Sequence, residues 1–364
     1  MERISTHQFT VLSAAIILGT TFMNSGAIVS GAAGRDGWLA ILPGFALGIP
    51  FVFMVFSLIP KFPNKNLIEI TEQVLGKWLG KGIGLLQVLI AFYFGALLMG
   101  QGLDMYSRTV LPLMSHYVLV FGTFIVVAYL YVSGIEVLSR FSEVVFPITF
   151  FSLLFIAAFS IQRFERGELF PILDNGIKPL ALASWKVAPW PMEYLLFLAG
   201  LLPFLPRKAK DLKVLKKNAL KAFVLVIAIS TIMVIVQIMT FGPFETARLT
   251  YGLLVLGNMI EISRTVAGVE AIFTLIWMGV LTLKVAAMFF VVAWGLRSVF
   301  KLKGRKVIGF VGLMYVFIPL YSVRGMNVVV EIELLDGYFM LPFMMTWVVV
   351  VWGVDRWKRR KKSS

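Results

Sequence analysis

Apolar residues run through this chain in long stretches, and each stretch ends at a short polar or basic connection. About 20 apolar residues in a helix suffice to cross a bilayer core. Ten such segments can be read, over 8–32, 37–60, 82–103, 117–135, 142–161, 181–206, 220–241, 268–296, 307–322 and 337–354. The pattern predicts an all-α polytopic membrane protein with about ten transmembrane helices. Two connections are more than links. NLIEITEQVLGKWLGKGIG (66–84) is amphipathic and is expected to lie along the membrane interface. GPFETARLTYGLLVLGNMIEISRT (242–265) is too long and too apolar for a bare loop, and predicts a helix folded back over the outer mouth as a lid.

Composition agrees with lipid as the solvent. Of 364 residues, 59% are hydrophobic and 15% charged, with a mean hydropathy of +0.88; soluble chains keep roughly a quarter of their residues charged. The absence of cysteine excludes disulfides, thiolate nucleophiles and Cys-based zinc or iron–sulfur sites. His7 and His116 lie far apart, so no metal or other cofactor is implied. The net charge of +15 follows the positive-inside rule rather than a nucleic-acid partner. With the N-terminus cytoplasmic, 24 Lys and Arg fall on the cytoplasmic side and nine on the other, and Lys284 is the remaining one of 34. Both termini are then expected in the cytoplasm. The ending DRWKRRKKSS (355–364) reads as a basic anchor for the anionic leaflet. MERISTHQ is a poor leader, so the first segment is expected to stay in the protein. One transmembrane domain is expected over 1–364, with a five-helix repeat over 1–161, a second over 181–354, and the tail.

Two segments carry residues that disturb a helix. Segment 1 ends in GTTFMNSGAIVSGAAGRDGW (19–38), with Gly19, Gly26, Gly31 and Gly34. Segment 6 reads SWKVAPWPMEYLLFLAGLLPFLPRK, with Pro189, Pro191, Gly200, Pro203 and Pro206 around Glu193. In lipid, non-helical backbone survives only against protein or a cavity. Breaks at matching places in two halves point to a transporter-type site at mid-membrane; extra Gly and Pro for packing alone is the plainer alternative. Lys284 lies deep in IWMGVLTLKVAAMFFVVAW, where a charge is a functional hypothesis by default, and Glu193 is its natural counter-charge or a ligand contact. Glu143 and Glu270, nearer the interfaces, read as structural, and Asp104 with Arg108 reads as a solvated i,i+4 pair.

GTTFMNSGA with GRDGWLA, LGKWLGKGIG, PMEYLLFLAGLLPF and GVEAIFTLIWMGVLTLK, taken together, resemble the B subunit of endospore germinant receptors. These form the spore-permease family of the amino acid–polyamine–organocation superfamily. GRDGW and the E-x6-W-x6-K run (Glu270, Trp277, Lys284) are its more specific parts. The resemblance implies a LeuT-like 5+5 inverted repeat with helices 1 and 6 broken. It implies an amino acid-like germinant as ligand, A-type and lipoprotein C-type subunits as partners, and residence in the spore inner membrane. Carried over by position, the pocket comprises Asn24, Ser25 and Gly26 of segment 1, Tyr93 of segment 3, Glu193 and Tyr194 of segment 6, and Lys284 of segment 8. Some members have a small polar residue near Lys284, a departure that bears on ligand specificity. Amides after a break in segment 1 would hold a carboxylate, Glu193 and freed carbonyls an ammonium, and Lys284 the place of sodium in related transporters. The expected function is germinant sensing, with a proton-coupled amino acid transporter as the alternative. With no P-loop, HExxH or GxSxG, an enzyme is the weakest class.

Overall fold

The computed structural model describes residues 4–109, 113–205, 209–259, 269–301, 304–325 and 327–363, without the side chains at 20, 108–109, 209–210, 269–272, 304–308, 322–325 and 362–363. In chain order the helices are α1 (Thr6–Ala33), α2 (Ile41–Leu58), α3 (Leu67–Leu75), α4 (Lys77–Thr109), α5 (His116–Val132), α6 (Ile135–Ser160), α7 (Ile177–Val187) and α8 (Pro189–Leu201). There follow α9 (Ala209–Arg248), α10 (Gly252–Asn258), α11 (Val269–Phe300), α12 (Gly304–Gly325), α13 (Val328–Leu334), a π-helical turn (Leu335–Met340) and α14 (Leu341–Ser363). Among the described residues, seven stretches are long and apolar enough to cross a membrane, with shorter apolar helices beside them, and the chain is an integral membrane protein. Counted along the chain, α1, α2, α4, α5, α6, α7–α8, α9, α11, α12 and α13–α14 are helices 1 to 10 of the bundle. Every residue of α8 is buried, and α1 and α11 pack beside it at the centre. The outer helices α5, α6 and α12 instead expose apolar stripes such as Phe121, Ile125, Tyr129 and Val132, which lipid can cover.

Helix 6 is interrupted where its prolines require it. Pro189 and Pro191 have no N–H to give the carbonyls of Trp185 and Val187, so two rungs of the i→i−4 ladder are missing. The Trp185 carbonyl accepts from the Ala188 amide at 3.2 Å instead, and α7 gives way to α8 at Ala188, whose own dihedrals stay helical (φ −55°, ψ −27°), so the ladder is interrupted without the backbone unwinding. Helix 1, in contrast, runs unbroken from Thr6 to Ala33, and the break expected there is corrected. Two of its polar residues bond within their own turn: Thr21 Oγ1 donates to the Leu18 carbonyl and Ser25 Oγ to that of Phe22. Gly19 and Gly26 serve close approach rather than bending. A Cβ on Gly26 would fall 2.5 Å from Gln237 Oε1 of α9, and one on Gly19 would fall 3.1 Å from Lys284 Cδ.

The two long connections also resolve differently from expectation. Gly76, at φ 93°, divides 66–84, so that only α3 is a separate amphipathic helix and α4 begins at Lys77. The buried face of α3 packs on α4 and α14. Over 242–265, α9 kinks at Gly242 and continues to Arg248, and the buried α10 packs on α11, α1 and α9. It covers no cavity described below, and 260–268 lie outside the described residues. The basic tail continues α14 as helix. Asp355 accepts from Lys61 at 2.7 Å and Arg359 at 2.8 Å, and Lys358 donates to the Val74 carbonyl at 2.7 Å, so α3 and the tail are tied together.

The turn at Ala188 is seated on α2. A Cβ on Gly44 would fall 2.5 Å from Val187, and one on Gly48 would overlap Pro191; this is the small-xxx-small spacing that lets membrane helices touch backbone to backbone. Gly48→Val is therefore expected to lower the unfolding temperature in detergent, by overpacking worth about 1–3 kcal/mol. Gly31→Ala, whose Cβ meets nothing within 4 Å, should leave it unchanged or slightly higher. Equal effects of the two would show that helix 6 does not rest on that glycine face.

Candidate functional site: a buried ion pair beneath a cavity

The turn at Ala188 aims Glu193, one turn into α8, at α11. There Lys284 Nζ donates to Glu193 Oε2, with the lysine fully buried and the glutamate 1% exposed. The lysine stem crosses α1 at Gly19, and its ammonium stands 5.6 Å from the ring centre of Phe94 on α4, a cation–π distance. A third charge reaches the pair from helix 10. Asp336, in the π-helical turn, is 3% exposed and within hydrogen-bonding reach of Glu193. Such turns recur at functional sites because they displace a side chain from the helical register.

Glu193 and Asp336 form part of the lining of a cavity of about 440 Å³ between α1, α4, α7–α8 and helix 10. Its wall combines apolar and aromatic surface, including Ile28, Trp185 and Trp190, with the amides of Asn24 and Gln101. At its rim Lys186 and Glu333 stand 3.5 Å apart, both partly exposed. A mostly apolar hollow with a few convergent polar groups is the usual form of a small-molecule site.

Of the residues expected from sequence, the structure brings Asn24, Glu193 and Lys284 to this region, Asn24 and Glu193 in the wall and Lys284 behind Glu193. Ser25 is buried and Gly26 packs on Gln237 of α9; neither lines the cavity. Tyr194 lies on another side of α8, its hydroxyl 3.2 Å from Ser13 Oγ and its ring edge-on to Phe223. Tyr93, 39% exposed, lines a separate groove with Leu89, Leu335 and Phe343. Its neighbour Phe94 faces Lys284 instead, because successive helical residues point about 100° apart. Because helix 1 is continuous there, it offers no freed amides, and a carboxylate seat at that point is corrected too.

Trp277 is fully buried, edge-on to Phe22 at 6.5 Å, as packing near the pair. Asp104 is buried and accepts from the Tyr251 hydroxyl at 3.0 Å, which corrects the solvated pair; the Arg108 and Glu270 side chains lie outside the described residues. Glu143 stands 3.6 Å from His7 near the chain start. Sequence reasoning missed Gln101 and Asp336. The acidic run EIELLD (331–336) was the available signal, but its charges made the last segment seem to begin at 337, whereas the helix starts at Val328.

The family model described as spore germination protein (spore permease) matches residues 3–325. Spore germination protein KB of Bacillus subtilis (strain 168) is 22% identical over the whole chain and 97% of its own length. Spore germination protein A2 of the same organism is 24% identical, covering 92% of this chain and 93% of its own. Spore germination protein YndE is 27% identical over 148 residues, 40% of either chain. Among solved structures, MhsT in complex with L-phenylalanine superposes with a TM-score of 0.75 at 14% identity, over 96% of this chain and 89% of that one. A substrate-bound, outward-open Na+-coupled sialic acid symporter gives 0.66 at 11% identity, over 94% and 79%. The fold is therefore the LeuT-like arrangement of ten helices, and these likenesses carry the fold alone.

The pair makes a direct prediction. Lys284→Met leaves Glu193 buried without its ammonium, a change that costs about 3–5 kcal/mol, whereas replacing both partners by apolar residues is often near neutral. Tryptophan-detected unfolding in detergent should show a large loss for Lys284→Met and recovery of most of it in Lys284→Met with Glu193→Leu. A double variant no better than the single one would mean that the pair is not the reason for the loss.

Proposed function

The chain belongs to the spore-permease family of spore germination proteins, and on that premise we propose that it is the nutrient germinant-sensing subunit of a spore germination receptor. The observation that carries the reading is the cavity itself: an amino acid-sized hollow at the turn of helix 6, floored by Glu193 with Lys284 behind it. An amino acid-like molecule bound there favours one arrangement of the helices around it, and a ligand shifts such an equilibrium by its difference in affinity for the two states. The shift is passed to A-type and lipoprotein C-type subunits in the spore inner membrane. The excess of Lys and Arg in alternate connections supports both termini in the cytoplasm. Lys284 supplies within the chain the cation that Na+ supplies in a Na+-coupled symporter, so binding is independent of sodium.

A second reading, a proton-coupled amino acid transporter, draws support from Asp336, whose carboxyl beside Glu193 gives a proton somewhere to ride. Labelled amino acid accumulated in proteoliposomes holding this chain alone, under a proton gradient, would favour transport; saturable binding without accumulation favours sensing.

For the purified chain screened against amino acids, sugars and nucleosides, at least one amino acid is expected to raise the unfolding temperature. A ligand at a hundredfold excess over Kd adds about 2.7 kcal/mol. The rise should be the same in sodium and choline buffers and absent from Lys284→Ala. An effect that needs sodium, or that survives intact in Lys284→Ala, would overturn the assignment of Lys284.

A further inference from the structure

Glu193 is the obvious acid for a ligand's amine, yet Lys284 already occupies it. The cavity holds a different set of groups with unmet bonding. Asp336 Oδ1, Asn24 Oδ1 and Gln101 Oε1 are all buried without a hydrogen-bond partner, on residues 3%, 6% and 1% exposed, and all three residues line the same hollow. They come from three separate helices: the π-helical turn of helix 10, α1 and α4. Each is an acceptor, and a buried acceptor left unsatisfied costs the fold its full desolvation penalty. Turning either amide over would present donors, and the two carboxyl groups of Asp336 and Glu193, within hydrogen-bonding reach, hold one proton between them. When that proton leaves, Asp336 offers only acceptors and sets the sign of its partner: two carboxylates and one lysine ammonium then leave one negative charge at the cavity floor for the ligand to balance. What fits is a small cationic group with several donors, and a primary ammonium has three N–H bonds to give.

We propose that Asp336, assisted by Asn24 and Gln101, receives the ammonium group of the ligand, so that the cavity selects amine-bearing molecules with an apolar body. Ile28, Trp185, Trp190 and Ile332 supply the apolar wall for that body. Glu193 and Lys284 act as positioning residues: the lysine holds the glutamate away from the ligand and keeps the floor from carrying two free negative charges. The inference rests on the solute site proposed above and names the part of the ligand that the site reads.

The test uses the purified full chain and three classes of probe: apolar L-amino acids, their decarboxylated amines and their deaminated acids. Leucine is set against isoamylamine and isocaproate, and phenylalanine against phenethylamine and hydrocinnamate. Affinity is measured by titration calorimetry and by the rise in unfolding temperature. The amine is expected to keep binding, while the deaminated acid loses about 10- to 100-fold against its parent amino acid, the range for a hydrogen bond to a charged group. In Asp336→Asn that gap should close, through weaker binding of the amino acid with the acid unchanged, and Asp336→Glu should restore part of it. A merely structural role for Asp336 would weaken all three classes alike and leave the gap in place, which overturns the inference. Deaminated acids binding the wild-type chain as tightly as amino acids would overturn it while leaving the solute site standing. So would stabilisation of wild type, but not Asp336→Asn, by sodium alone, since the orphaned acceptors would then be a metal-ion seat. If Asp336→Asn fails to fold, the three classes on wild type still decide. No binding by any probe would remove the solute site, and this inference with it.

Discussion

A lysine ammonium in the middle of an apolar bundle has to be answered where it stands, because the long stem of Lys284 finds no water to reach. The fully buried Lys284 and the nearly buried Glu193 meet that demand together, and much of the local architecture follows from keeping them in place. Gly19 has no side chain because the lysine stem passes over it, and Phe94 turns its ring toward the ammonium. Pro189 and Pro191 end the run of α7 so that α8 presents Glu193 one turn later, and Gly44 and Gly48 admit that turn against α2. A buried pair of this kind gives little net stability and penalises every arrangement that separates its members. It ties α8 to α11, with the lysine stem lying against α1 at Gly19 and its ammonium over Phe94 of α4.

How much of this was legible follows from which physical signals are local. Ten passes were readable because lipid imposes length and hydropathy on each one separately. The interruption of helix 6 was readable because a proline removes its N–H wherever it sits, and the Lys284–Glu193 pairing because lipid leaves a buried charge few partners. Helix 1 was misread because glycine is ambiguous: it permits a bend and it permits contact, and only the partner tells which. Gln237 and Lys284, the partners of Gly26 and Gly19, lie more than 200 residues away in sequence. Tyr93 and Phe94 are adjacent in a helix that is apolar nearly all round, so nothing in the sequence says which of them faces the lysine. Asp336 was hidden for a related reason. A charge that lines a cavity lowers hydropathy as much as one in a loop, and so the first turns of helix 10 read as a connection.

The continuity of helix 1 moves the centre of the site. A broken first helix would present its freed backbone amides to an anion; a continuous one keeps them bonded and offers side chains instead. The unmet polar groups are then Asn24 on helix 1, Gln101 on helix 3 and Asp336 on helix 10, with the turn of helix 6 at their edge. In the proposed reading, recognition then rests on a carboxyl group and two side-chain amides rather than on backbone amides.

A tethered cation also bears on what such a scaffold can do with its ligand. A symporter stores work in an ion that enters from one side and leaves with the solute on the other, so the gradient of that ion sets how far the solute can be concentrated. Lys284 is covalently part of α11 and cannot leave. It lends the site its electrostatic balance without lending it a gradient. What remains able to come and go is the ligand itself and, through the Asp336–Glu193 carboxyl pair, a proton. If the proton displaced by the ligand's ammonium returns to the side from which the ligand came, occupancy at fixed pH depends on ligand concentration alone and the site works as an equilibrium detector, the behaviour a germinant sensor needs. If it is released to the opposite side, the same residues make an exchanger. The two proposed functions therefore differ by the fate of one proton at Asp336 rather than by the fold.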